Sequence, residues 1–260
     1  MNIIILFIFI FLIFFESYLF LIVKWPRARQ TYHLEDTKPV DKYLDCGYDR
    51  YVPNVNNGKW GNKREFMKPV FQLQNGAVIK GCIFSGVDGI HCNGSCIVED
   101  CWNEDVGDDS ISLMGYDRNS NYLIQGGGAM LADGKVVQLD GAGTLTVNNF
   151  YINTAGQCLR SCGNCLKQVS QRKIYVNNLI VENLQIGQYV VGVNKNYEDQ
   201  ATLKNIHIYG KKANETFPCK VFEGNDYGGN PKVLIKENKT RGDGKYCIYG
   251  PNDIHINSSF

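Results

Sequence analysis

Setting aside 23 of its 260 residues as a leader leaves 237, enough for one sizeable core and too few to require a second domain. The 27 basic and 26 acidic side chains leave a net charge of +1, so overall charge argues neither for nor against a polyanionic partner. Local placement of charge has to decide that.

The chain opens on a nearly unbroken apolar run from Asn2 to Val23, interrupted by Glu16, Ser17 and Tyr18. Residues 1–23 read as a removable signal peptide, although a basic n-region and a small-residue cleavage site are both missing. A retained anchor is the alternative, since about 20 apolar residues can span a bilayer. Lys24, Arg27 and Arg29 would then hold the rest of the chain in the cytoplasm. That placement conflicts with ten cysteines and with the four glycosylation sequons at Asn93, Asn214, Asn238 and Asn257, which fit export.

Residues 24–69 are expected to form an N-terminal cap, and the informative pattern begins after them. Short apolar-alternating segments recur from residue 70 to residue 208. Aligned on the apolar residue before the turn, they give Ile79, Val98, Ile124, Val147, Val176 and Leu203, at spacings of 19, 26, 23, 29 and 27. Two residues beyond these anchors stand Gly81, Asp100, Gly126, Asn149, Asn178 and Asn205, residue types that tolerate left-handed backbone at a sharp corner. Val, Ile, Thr and Tyr dominate the segments, and no sustained helical period competes. A second strand series falls between the first, on Ile90, Ile111, Val137 and Leu159. Two or three short strands per unit point to an all-β solenoid with each strand pairing about 4.8 Å from its equivalent in the next coil. Residues 209–260, rich in Gly, Asn and Lys, are expected to close the far end, tied by Cys219 and Cys247.

The even cysteine count suggests disulfides in an exported chain. Cys82 and Cys101 each lie three residues after an anchor, so stacking is expected to bring them within bridging distance. Cys158, Cys162 and Cys165 have the spacing of a radical-enzyme iron–sulfur site, but an oxidising compartment and the lack of a nearby His favour disulfides over a cluster or a zinc.

Registering the second series places Asp88, Asp109, Lys135 and Gln157 in one column, two residues before the apolar anchors, with Asp108 beside Asp109. Stacked carboxylates repel unless neutralised, and a hard divalent cation with oxygen ligands, calcium above all, does this well. The bland alternative is a solvated acidic loop.

Several motifs in series resemble polysaccharide lyase family three, the secreted pectate lyases. They are Val87-Asp-Gly-Ile-His-Cys-Asn-Gly-Ser-Cys96, Trp102-Asn-Glu-Asp-Val-Gly-Asp-Asp109, Gly126-Gly-Gly-Ala129, Gly141-Ala-Gly-Thr144 and Arg160-Ser-Cys-Gly-Asn-Cys165. The likeness runs from about residue 66 to residue 206 and looks nearest to enzymes of plant-parasitic nematodes. It implies a right-handed, single-stranded parallel β-helix and calcium-dependent β-elimination in polygalacturonate or pectin. It further implies an extracellular monomer with no nucleic-acid partner and no membrane contact once the signal is gone. The family's calcium-binding acids fall on Asp88, Asp108 and Asp109, with Asp108 in place of the usual Glu. Its substrate-face cations fall on Lys135 and Arg160, and Arg160 is nominated as the base. Two substrate-contacting positions depart from the pattern: Met114 and Gln157 stand where the family usually carries cations. A polygalacturonase on a similar solenoid would suit Gly107-Asp-Asp-Ser110, but its Gly-His-Gly and Arg-Ile-Lys motifs are missing. A non-catalytic wall-binding protein is the reading that Met114 favours.

Overall fold

The computed structural model describes residues 23–60, 67–236 and 239–257. Residues 1–22 of the expected leader, and Asn238, lie outside them. The chain winds into a right-handed parallel β-helix; among the described residues one pairing is antiparallel, near the far end, where Lys232–Lys236 lies on Phe217–Glu223. Helical structure among the described residues is confined to three short 3-10 turns.

Three strand stacks form the three faces. On the first, Ile79 pairs with Val98, Val98 with Ile124, Ile124 with Val147, Val147 with Val176, and Val176 with Leu203. All six point inward and are almost completely buried. Full burial of such a side chain contributes roughly 1.5–3 kcal/mol, so this ladder is a principal source of stability. The turn residues behave as their types require: Gly81, Asp100, Gly126, Asn149, Asn178 and Asn205 all take positive φ, between +49° and +68°. Asn149, Asn178 and Asn205 add amide-to-amide hydrogen bonds up the corner, at 2.9 and 2.7 Å.

The second stack carries the site. Its inward ladder runs Phe71, Ile90, Ile111, Val137, Leu159, Val191 and Cys219, each paired with the next. The third stack runs through Trp102, Gly128, Tyr151, Ile180, His207 and His255.

The coils extend beyond the expected window of 70–208. Thr31–Leu34, Lys38–Val40 and Tyr43–Asp45 already pair in parallel with the following coil, inside the segment expected as a cap. At the other end Phe217–Glu223, Cys247–Ile248 and Ile254–Asn257 each add a parallel strand within the expected closing region. Short strands with mixed exposure lack the alternation that marks the central coils, which is why pattern alone missed them.

The expected Cys82–Cys101 bridge does not form. The two positions are equivalent, since Ile83 pairs with Trp102, but Cys82 bonds Cys46 from the coil on its other side. Cys101 is left as a buried thiol, pushed up to about 12 by desolvation and therefore inert. The Cys219–Cys247 tie is present. Cys162 bonds Cys165, Cys92 bonds Cys96, and Cys158 is a buried free thiol.

Candidate active site

The acidic end of the site is built by close backbone approach. Asp88 and Asp109 begin the paired strands Asp88–Cys92 and Asp109–Leu113. Gly107 passes so near the preceding coil that a Cβ would lie 2.1 Å from the Val87 carbonyl, so only glycine delivers Asp108 and Asp109 beside Asp88. Val87 itself takes φ +47°, a costly conformation for a β-branched residue, one position before the Asp88 carboxylate it helps to aim.

The Asp109 backbone N–H donates to Asp88 Oδ1 at 3.3 Å, and His91 Nε2 lies 2.8 Å from Asp88 Oδ2. Lys135 Nζ approaches Asp109 Oδ1 to 3.2 Å, but not in hydrogen-bonding alignment, and that buried oxygen lacks a hydrogen-bond donor. Asp109 is 8% exposed. Burial pushes its carboxyl up to about 7; Asp88 and Asp108 push the same way and Lys135 opposes them. This donor set fits a hard divalent cation: oxygens only, one of them buried and unsatisfied, on carboxylates that repel one another. Asp88, Asp108 and Asp109 are the residues that would hold it.

The column continues in register from Asp109 to Lys135 and from Lys135 to Gln157. Arg160 lies three residues further along the Gln157 strand, aligned with Gln138 of the previous coil and half-buried. Its Nη2 donates to Asn164 Oδ1 at 3.1 Å, within the loop closed by the Cys162–Cys165 disulfide. Behind that loop sits a buried polar nexus. Arg172, 0% exposed, donates to Asp199 Oδ2 at 3.1 Å and to the carbonyls of Gly141, Cys162 and Asp140 at 3.0–3.2 Å. Asn194 donates to the Ser161 and Cys162 carbonyls and to Asp199, so the backbone immediately after Arg160 is held on several sides.

The structure therefore brings Asp88, Asp108, Asp109, Lys135 and Gln157 to one edge of one face, with Arg160 on the same face. Met114 stands apart. It follows the strand at its opposite end, its N–H donating to Cys92 O at 2.9 Å, roughly 16 Å along the chain from Asp109 at the rise of an extended strand. Nearby, Lys167 lies 4.1 Å over the Tyr116 ring, joining the loop after Leu113 to the loop after Ser161. Arg118, in the same loop as Tyr116, is exposed.

Sequence reasoning missed three residues: His91 on Asp88, Asn164 on Arg160, and Tyr189, whose hydroxyl donates to Gln157 Oε1 at 2.6 Å. Tyr189 was within reach, because it lies two residues before Val191, the next member of the ladder that placed Gln157. Asp140 clusters with Cys162 and Cys165, but their sulfurs are joined in a disulfide and offer no thiolate to a metal. Among the described residues no helix is long and apolar enough to cross a membrane.

Known proteins share this chain's sequence pattern and fold. The pectate lyase family model matches residues 23–228. Probable pectate lyase F of Aspergillus fumigatus is 37% identical over 183 residues, covering 70% of this chain and 74% of that protein. Pectate lyase E of Emericella nidulans is 34% identical over 230 residues, covering 86% and 83%. The crystal structure of the catalytic domain of pectate lyase PelI from Erwinia chrysanthemi superposes with a TM-score of 0.69 at 25% identity, over 88% of this chain and 97% of that one. The same enzyme in complex with tetragalacturonic acid gives 0.68 at 27% identity, over 86% and 68%. With a parallel β-helix, an acid-and-cation column on one face and a family model matching most of its length, the chain belongs to the pectate lyase family.

Proposed function

We propose that the chain is a secreted, calcium-dependent pectate lyase that cleaves polygalacturonate, or pectin that contains it, by β-elimination. The observation that carries this reading is the Asp88–Asp109–Lys135–Gln157 column. It has one unsatisfied buried carboxylate oxygen and lies on the face that also bears Arg160.

Elimination removes the proton on carbon 5 of a galacturonyl unit and expels the oxygen on carbon 4, leaving a carbon 4–carbon 5 double bond. A free carboxylate beside carbon 5 makes that proton hard to remove. Calcium, when held by Asp88, Asp108 and Asp109, would neutralise that carboxylate. Lys135 adds a positive charge beside the acids, and its ammonium stabilises the dianion that develops as the proton leaves. Arg160 takes the proton. A free guanidinium has a pKa above about 12, so this role calls for alkaline conditions. Asn164 fixes the guanidinium by accepting one of its N–H groups, which aims the remaining nitrogens.

Secretion rests on the apolar N-terminal run and on four disulfides, a bonding pattern of oxidising compartments. The enzyme acts as a monomer on an acidic wall polysaccharide. The sequence relatives described above come from Aspergillus and Emericella, and nearness to nematode enzymes rests on the motif run alone.

The test is ultraviolet absorbance of the unsaturated product on polygalacturonate with calcium. The natural protein should generate it and Arg160→Ala should not; a hydrolase or a binding protein would generate none. Met114 supports one second reading: a thioether offers neither charge nor a strong hydrogen bond, which suits a wall-binding relative with little turnover.

A further inference from the structure

Gln157 is the first member of the column without a charge, and its amide is not free to rotate. Tyr189, one coil further on, donates its hydroxyl to Gln157 Oε1 at 2.6 Å. The Tyr189 ring is itself seated. It packs edge-on against Phe222 at 5.3 Å, the Lys220 ammonium lies 5.5 Å over it, and a Cβ on Gly192 would come 2.6 Å from its Cε2. Gly192 is the residue paired with Arg160, so the absence of a side chain beside the proposed base is what makes room for the ring. Burial pushes the phenol up to about 12, so the hydroxyl keeps the proton it donates.

With Tyr189 holding Oε1, the donors this half-buried side chain still offers are the two N–H groups on Nε2. Lys135, the neighbour on the other side, carries an ammonium with no acceptor and cannot absorb them. They are left for a ligand oxygen. We propose that Tyr189 is a positioning residue that turns the Gln157 amide so its N–H donors face the groove, and that this subsite takes a galacturonyl unit whether its carboxyl is free or methyl-esterified. The second half rests on the reading above that this face binds galacturonan. The chemistry follows from the donor. An ammonium here would gain most from a carboxylate charge, which esterification removes, whereas a neutral amide bonds a carbonyl oxygen that acid and ester both retain.

Two measurements test it. Binding of trigalacturonate and of its methyl ester is followed by calorimetry with calcium present, in an Arg160→Ala background that does not turn over. Separately, kcat and KM are measured on polygalacturonate and on partly methyl-esterified pectin. The calcium and Lys135 contacts are common to both proteins, so Gln157→Lys should shift the acid-to-ester preference toward the acid by about tenfold relative to the protein with Gln157 intact, the usual gain of a charge-assisted bond. Tyr189→Phe keeps the ring in its seat and removes only the hydroxyl. It should weaken both ligands by about three- to tenfold, through KM with kcat preserved. An unchanged acid-to-ester ratio in Gln157→Lys, unchanged binding in Tyr189→Phe, or no binding of either trimer overturns the proposal. If the binding ratios hold while no protein shows elimination, the lyase reading fails and this assignment stands.

Discussion

Asp109→Asn is the substitution from which the structure yields a number. The Asp109 carboxyl is pushed from an ordinary 3.8 up to about 7, first by burial and then by Asp88 and Asp108. Each tenfold change in proton affinity corresponds to 1.36 kcal/mol, so keeping this carboxylate charged costs the calcium-free fold roughly 4 kcal/mol. The sign follows from proton counting. The folded-state value lies above the unfolded one, so between about pH 4 and pH 7 the folded chain binds more protons, and stability falls as pH rises through that window. Asparagine does not titrate, so the variant lacks the slope that Asp109 gives the natural protein. Urea unfolding in a calcium chelator, from pH 4 to pH 8, should show the natural protein losing up to roughly 4 kcal/mol more than Asp109→Asn. Saturating calcium should restore the natural protein, by about 2.7 kcal/mol at a hundred times the dissociation constant, and leave the variant almost unmoved. Parallel pH profiles for the two proteins without calcium, or equal calcium stabilisation of both, would refute the reasoning.

Three further outcomes are expected. Met114→Lys should raise turnover on polygalacturonate by on the order of 100-fold if the missing charge limits the natural protein, as measured by product absorbance at alkaline pH; no change in a fully active protein would show that another cation serves there. Arg172→Leu should lower stability by about 3–5 kcal/mol in chemical denaturation, because Asp199, whose carboxyl burial already pushes up, is left as an unpaired buried charge. Ile124→Ala should cost about 2–5 kcal/mol by thermal or urea unfolding while leaving calcium binding intact, since the inward ladder does not touch the acid column.

The central coils were legible because one physical rule governs them. A parallel stack repeats its inward position once per coil, so apolar anchors and the turn residues two places beyond align whatever the spacing. That rule also delivered the column: Asp109, Lys135 and Gln157 pair in register, and Asp88 accepts from the Asp109 N–H. It could not deliver the outer coils, where Lys38–Val40 and Tyr43–Asp45 are too short to alternate. The same gap misplaced a disulfide, because Cys46 lies in a coil that pattern reading had set aside as a cap. Side-chain partners such as Asn164 and the Arg172–Asp199–Asn194 nexus depend on how loops fold back, and spacing carries no information about that.

Where the coils differ in length locates the variable part of the site. Leu113 pairs with Cys92 and Tyr122 with Cys96, yet the step between them is four residues in one coil and nine in the next. The remaining steps around those two coils are equal, so all five extra residues fall between Leu113 and Tyr122. The corresponding step from Ser161 to Ile174 is thirteen residues. The acid edge of the face varies far less: five residues lead from Ile83 to Asp88, and seven from Trp102 to Asp109 and from Gly128 to Lys135. The opposite edge is free to vary in length and composition, and there Lys167 lies over the Tyr116 ring, in the loop that Met114 opens. The buried Arg172 carries both requirements at once. It bonds Asp199 in the scaffold and the Asp140, Gly141 and Cys162 carbonyls at the foot of the variable rim. The rim can therefore change without moving Arg160, whose backbone is fixed from beneath.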